Sequence, residues 1–248
     1  MEVISVTAFT RATFVGCMAF AAVTAAGCSG SKVTTKSSAE LPRYTIQTIA
    51  LVPFTSIATP QVRDQGDPYL STPQSVRRSD ISVSVPSNTE PLPRQTVTVP
   101  AYAAEKITQL FWSRLQKRGE VRVIPGAEAA KTLAGEWAKA TPEAAGAAVA
   151  KRLKADAALI GQVLVYQERV GSRLGASPPA SVGFEVKVVA ADGQVLWVGN
   201  YYERQRPMTE DFMGFVHRWG AFVTAEELAQ YGVEEVLKEF PFGAGGEQ

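Results

Sequence analysis

The residues able to ligate a metal or act as a nucleophile are few. The chain has two cysteines, Cys17 and Cys28, and one histidine, His217. A zinc site needs about four clustered ligands, so this supply predicts no metal centre. Glu226-Glu227 and Glu234-Glu235 are paired carboxylates. With Lys238 close by, their spacing fits the solvated face of a helix better than an ion site. His217 stands in Met213-Gly-Phe-Val-His-Arg-Trp-Gly220. A general base must be positioned against its substrate's proton, and a lone histidine among aromatics suits a packing or surface role instead. No G-x-S-x-G elbow supplies a nucleophile. No P-loop or G-x-G-x-x-G turn cradles a phosphate. The expectation is a protein with no catalytic residue, no metal and no other cofactor, and therefore not an enzyme.

One residue remains whose chemistry needs an account, and it is Cys28. Arg11 is followed by an uncharged run from Ala12 to Gly27 rich in Ala, Val and Phe. That run is shorter than the roughly 20 residues a spanning helix needs. A signal-peptide core is short in this way and ends in small residues. The ending Ala25-Ala26-Gly27-Cys28 resembles the lipobox of bacterial lipoproteins. The resemblance implies cleavage between Gly27 and Cys28, removal of residues 1–27, and diacylglycerol on the Cys28 thiol. It also implies a further acyl chain, such as palmitate, on the new amino group. An ordinary secretory peptide cut near the same place is the alternative. Cysteine usage fits the first reading: Cys17 would be discarded, and no cysteine follows Cys28. The mature chain could form no internal disulfide, although export would permit one. Ser29, rather than Asp, resembles the outer-membrane pattern, so the expected location is the periplasmic face of the outer membrane.

Around this anchor the composition is that of a globular protein. Lys and Arg total 25 against 24 Asp and Glu, and hydrophobic residues make up 46%. Nucleic-acid binders show a basic excess or stripe, so no nucleic-acid partner is expected. Ser29 to Leu41 is rich in Ser, Thr and Lys. Residues 28–43 read as a lipidated flexible tether, and thirteen coil residues would span about 20 Å.

The elements follow from pattern and punctuation. Residues 44–54 read as a strand ending in a continuous apolar run. Residues 55–100 form a proline-rich excursion, with Ile81–Val85 and Thr96–Val99 as short alternating pieces that could pair. So long a connection inside a compact domain is either functional or disordered. Pro100 opens a helix with the stripe Ala103, Ile107, Leu110, Phe111 and Leu115. Lys117, Arg118 and Gly119 end it. A strand is expected over 121–125 and a brief helix over 126–134. Thr141, Pro142 and Glu143 start another helix, running to Leu153. Strands follow over 157–167, 182–189 and 194–202, the last two joined through Asp192-Gly193, a strong hairpin signal. Thr224-x-x-Glu227 is a capping-box pattern that begins a helix with the stripe Ala229, Val233, Val236, Leu237 and Phe240. Residues 241–248 read as a disordered tail. The order predicts an α/β fold: a two-layer sandwich with a mixed sheet of about five strands and helices packed on it, forming one domain over 44–240. Trp112 and Trp197 are expected in the core or on a sheet face. Trp219 and Phe222 are expected either in the core or as an exposed patch.

The segments "TIALVPF", "SRLQKRGEVRVIPGAEAAKTL", "AKRLKADAALIGQVLVYQ" and "VKVVAADGQVLWVGNYY" resemble one group of proteins. It holds the TolB amino-terminal domain, the lipoprotein activators of peptidoglycan synthases and the curli-secretion lipoprotein. The resemblance covers residues 45–54 and 100–202, and its motifs are structural. It implies a lipid-anchored envelope protein acting as a non-catalytic interaction or accessory module. The expected partners are membrane lipid through Cys28 and an envelope protein, with a homo-oligomer open. The alternative is a subunit of an oligomeric export channel. Spanning strands need about 9–11 residues, longer than 81–85 or 96–99. The longer pair over 160–170 and 182–189 is needed in the core sheet, and the loop between them, Gly171 to Ala180, carries Arg173, Pro178 and Pro179.

Overall fold

A computed structural model describes residues 32–62, 96–119, 121–133, 140–206, 216 and 220–242. In chain order they form β1 (Val33–Ser37), β2 (Thr48–Leu51), β3 (Thr55–Ser56), β4 (Gln61–Val62), β5 (Thr96–Val97), α1 (Ala101–Arg118), β6 (Arg122–Ile124), α2 (Gly126–Leu133), α3 (Pro142–Leu153), β7 (Ala157–Gln167), β8 (Ser181–Ala190), β9 (Val195–Arg204) and α4 (Ala225–Lys238). They belong to one compact unit that starts at Lys32.

The main sheet has seven strands in the order β1-β9-β8-β7-β2-β6, with β3 added to β7 beyond β2. It is mixed. β2 runs parallel to both β6 and β7, while β7, β8, β9 and β1 form an antiparallel meander. The continuous apolar runs in β2 and β7 sit at the centre because both of their faces are covered. Ile49, Leu51 and Leu159 pack under α1 and α4 with Phe111, Phe184, Trp197, Tyr201 and Leu228. Their neighbours Ala50, Val52, Ala158 and Ile160 pack under α2 and α3 with Ala129, Ala145, Val149 and Ala150. Successive residues of a strand point to opposite faces, so a run without alternation is what two covered faces require. The small side chains of α3 let that helix lie close on β7.

Local punctuation holds where the sequence placed it. α1 begins after Pro100 and ends at Gly119, whose φ of 71° is the left-handed exit conformation. The Thr141 hydroxyl accepts from the Ala144 amide, 3.3 Å away, at the start of α3. At α4, Thr224 and Glu227 form the reciprocal capping box. The Glu227 carboxyl lies below its usual range, first because the Thr224 amide donates to it. The β8–β9 turn is the Asp192-Gly193 hairpin: Asp192 accepts from the Gln194 amide at 3.0 Å and from the Tyr44 hydroxyl at 2.7 Å. Asp156 ties the first β-unit together, because its carboxylate accepts from the Gln47 and Thr48 amides at 2.9 and 2.8 Å.

The α/β sandwich with a mixed sheet is the expected one, with differences in extent. Helices lie on both sheet faces, and the strands number seven rather than about five. One of the added strands corrects the tether. Val33–Ser37 is not flexible chain but an edge strand, antiparallel to β9 with Val33 opposite Tyr201 and Ser37 opposite Trp197. The free edge of β9 offers unpaired backbone groups that a β-branched stretch can satisfy. Lys32 adds an ion pair to Glu203 at 2.9 Å. Within the excursion, Thr96-Val97 pairs with Gln61-Val62, and β3 is the first part to join the main sheet. The strand expected over 44–54 is shorter, covering 48–51. Residues 1–31, including Cys17, Gly27 and Cys28, lie outside the described residues, as do Ile81–Val85 and the tail from 243.

Candidate functional site

The paired carboxylates are occupied by cations of the protein itself. Glu226 pairs with Lys106, Glu234 with Arg114, Glu235 with Lys238, and Glu227 caps α4 while facing Arg173 at 3.6 Å. Among the described residues no cluster of His, Cys, Asp and Glu is arranged to hold a metal ion. No described helix is long and apolar enough to cross a membrane. Trp197 and Phe222 are buried in the core, and Trp112 packs against it half-buried. His217 and Trp219 lie outside the described residues.

Two features remain at the surface. The first is a shallow cavity of about 220 Å³ between the C-terminal ends of α1 and α4, lined by Arg114, Arg118, Glu234, Leu237 and Lys238. The Arg118 guanidinium lies 5.8 Å from the Phe240 ring centroid, and its Nη1 is buried without a hydrogen-bond partner. Arg114 and Lys238 are held in ion pairs with Glu234 and Glu235.

The second is the end of the sheet where the chain first joins it. Lys32 is there, its carbonyl accepting from the Tyr202 amide at 3.1 Å and its ammonium on Glu203. Glu203 is buried, and the Tyr201 hydroxyl donates to it at 2.7 Å. Strand register brings three further points to this end, because Arg204 of β9 pairs with Ser181 of β8, and Ser181 with Gln167 of β7. The loop 168–180 therefore projects from the same end as Lys32.

That loop is built rather than slack. The Val170 amide donates to the Pro178 carbonyl and the Ser177 amide to the Val170 carbonyl, at 2.9 and 2.8 Å. The Ser172 amide donates to the Gly175 carbonyl at 2.8 Å, and Gly171 bridges to Ala176. The loop is bound to the start of α4 as well. The Phe222 amide donates to the Arg173 carbonyl at 2.8 Å, Arg169 donates to the Phe222 carbonyl, and the Ala225 amide donates to Glu168 at 3.1 Å. Gln205, fully buried, donates to the Ala221 carbonyl at 2.6 Å and accepts from the Val223 amide at 2.8 Å. Near the end of β7, Tyr166 stacks edge-on with Tyr102 at 5.8 Å. Burial raises the Tyr166 hydroxyl above its ordinary range, and the Glu168 charge adds to the effect. Tyr166 is thus a neutral packing group at any physiological pH.

Sequence reasoning noted this loop only for its charge and prolines. Its signal was Leu174, a large apolar residue between Arg173 and Gly175 in a polar stretch. No periodicity marks such a residue, and only the structure shows how far out it is held. The arrangement contains no nucleophile poised beside a base. What it offers is a rigid end surface, beginning four residues after Cys28.

No family model matches the chain, and no curated relative matches it. Among solved structures it is similar to the PelC dodecamer from Paraburkholderia phytofirmans, at 14% identity and a TM-score of 0.41, over 83% of this chain and 93% of that one. It is similar to lipoprotein GNA1162 from Neisseria meningitidis, at 13% identity and a TM-score of 0.36, over 70% and 92% of the two chains. The LpoB C-terminal domain from Escherichia coli matches at 8% identity and a TM-score of 0.34, over 64% and 83%.

Proposed function

We propose that the chain is exported, cut before Cys28 and held by acyl chains on that residue at the periplasmic face of the outer membrane. There it acts as a non-catalytic interaction or accessory module for an envelope protein. The observation that carries this reading is Ala25-Ala26-Gly27-Cys28 closing an uncharged run, with no later cysteine in the chain. Two or more acyl chains give stable anchoring where a single one is marginal. The described part supports the accessory role. The paired carboxylates of α4 are engaged in ion pairs and a helix cap. Strands β7, β8 and β9, which have the 10 to 11 residues a membrane strand needs, belong to a sheet with helices packed on it.

Mass spectrometry of the mature N-terminal peptide tests the anchor. The expected species begins at Cys28 with diacylglycerol on sulfur and a further acyl chain on nitrogen. An unmodified Cys28, or a chain still carrying residues 1–27, would overturn it. Crosslinking in intact envelopes tests the module, and recovery of no envelope protein at all would count against that part of the reading.

A further inference from the structure

We infer that the loop 168–180 is a membrane-contacting tip, with Leu174 and Val170 entering the lipid surface next to the acylated residue. The inference rests on the reading of Cys28 as the lipid anchor.

The first argument is reach. Were residues 28–43 flexible, the domain could stand about 20 Å off the bilayer. With β1 in the sheet, only Ser29, Gly30 and Ser31 separate Cys28 from Lys32. At no more than 3.3–3.6 Å per residue, four links span about 14 Å even when fully extended. Lys32 cannot swing away from the sheet, because its carbonyl and ammonium are both engaged by β9. The end of the sheet that carries Lys32 is therefore the end that faces the lipid.

The second argument is the chemistry of that end. Six large apolar side chains are exposed among the described residues, and four of them lie here: Leu174 at 93%, Tyr202 at 53%, Val170 at 51% and Tyr102 at 50%. Tyr202 is bonded through its amide to Lys32, and Tyr102 packs on Tyr166, one residue before the end of β7. Tyrosines favour the headgroup level, with the ring in the apolar boundary and the hydroxyl in water. Leu174 is held out by a hairpin whose backbone groups bond to each other and to Phe222. Its exposure is imposed by the loop and does not come from a collapsed state it could readily reach. Burying such a side chain is worth about a tenfold or greater partition factor. That is too little to bind the protein on its own, but enough to set the orientation of a chain already anchored beside it.

A single fluorophore tests this on the full mature, acylated protein in vesicles of phosphatidylethanolamine and phosphatidylglycerol. Once Cys28 is acylated the chain has no free thiol, so Leu174→Cys and, at the opposite end of the sheet, Gln194→Cys can each be labelled singly. Both positions are exposed, so neither substitution burdens the fold. The expected result is a severalfold loss of quenching by aqueous iodide at 174 relative to 194, together with quenching by bromine-labelled lipid at 174 only. Equal behaviour of the two positions on a protein whose acyl chains are confirmed by mass spectrometry would overturn this inference and leave the anchor standing. Protection of 174 from iodide without lipid quenching would mean contact with another protein copy, and would overturn it too. A Cys28 found unacylated would remove the anchor reading, and this inference with it.

Discussion

At the scale of single residues, the tightest constraint is Gly232 in α4. A β-carbon there would lie 2.3 Å from the Tyr201 ring. The ring cannot retreat, because Tyr201 is buried and its hydroxyl is bonded to Glu203 and to the Leu228 carbonyl. Alanine would gain up to about 1 kcal/mol of helix propensity but would overpack the contact. Gly232→Ala is expected to lower stability by about 1–3 kcal/mol, read from denaturant midpoints. A second residue-level expectation concerns pH. The Lys187 ammonium donates to Glu143 at 2.9 Å and holds its carboxyl below the usual carboxylate range. A depressed folded-state pKa means the stabilisation is fully present above the unfolded value, about 4.3. It is lost as pH falls through the lower folded value. Glu143→Gln should therefore cost something under about 1 kcal/mol at pH 7, and the difference from the native chain should close as pH falls through the lowered folded value. A gap that persists or widens in acid would refute this pairing.

At the scale of elements, β1 is the part whose role changed most between sequence and structure. The bonds at its two ends, from the Tyr202 amide to the Lys32 carbonyl and from the Ser38 amide to the Leu196 carbonyl, set the phase of the ladder. Hydrogen-bonded pairs alternate along antiparallel strands, so Thr34 and Lys36 turn their amides to β9 while Thr35 turns its amide outward. Proline is tolerated on an edge strand only where the lost amide faces solvent. Lys36→Pro should cost about 0.5–1.5 kcal/mol for the lost bond and accelerate hydrogen exchange along β1 and β9. Thr35→Pro should leave exchange in β9 close to native. Equal effects of the two would mean that β1 does not hold this register.

For the whole molecule, the test concerns the chain between β4 and β5. Gln61 lies opposite Val97, and Val62 opposite Thr96, so the excursion leaves and returns at adjacent points. Loop closure costs grow only as (3/2)RT ln n. Replacing residues 63–95 with a short Gly/Ser linker should keep the domain folded, with stability changed by about 1–2 kcal/mol or less. It should also abolish envelope crosslinks if that segment is the partner-binding element, since functional contacts concentrate in long loops. Loss of cooperative unfolding would show that the segment belongs to the core. Unchanged crosslinks would move partner binding elsewhere on the molecule.

Much of the architecture was legible because its causes are local. The capping box at Thr224 and Glu227, the Asp192-Gly193 hairpin, the Gly119 exit and the two-sided apolar run of β7 each depend on residues a few positions apart. The sequence by itself also determined the candidate lipid site, since Ala25-Ala26-Gly27-Cys28 is a contiguous peptide that would be read in extended form. It could not determine what happens to Val33–Ser37. That stretch has no apolar alternation, and its partner β9 is more than 150 residues away. The strand exists because β9 leaves an edge open. The exposed Leu174 was invisible for the same reason. A leucine in a loop carries no periodic signal of its exposure, and the loop that holds it out is built from bonds to Phe222 and within the hairpin. Tertiary pairing thus decided which end of the sheet carries Lys32, because the register of β1 on β9 is set by contacts between residues far apart in the chain.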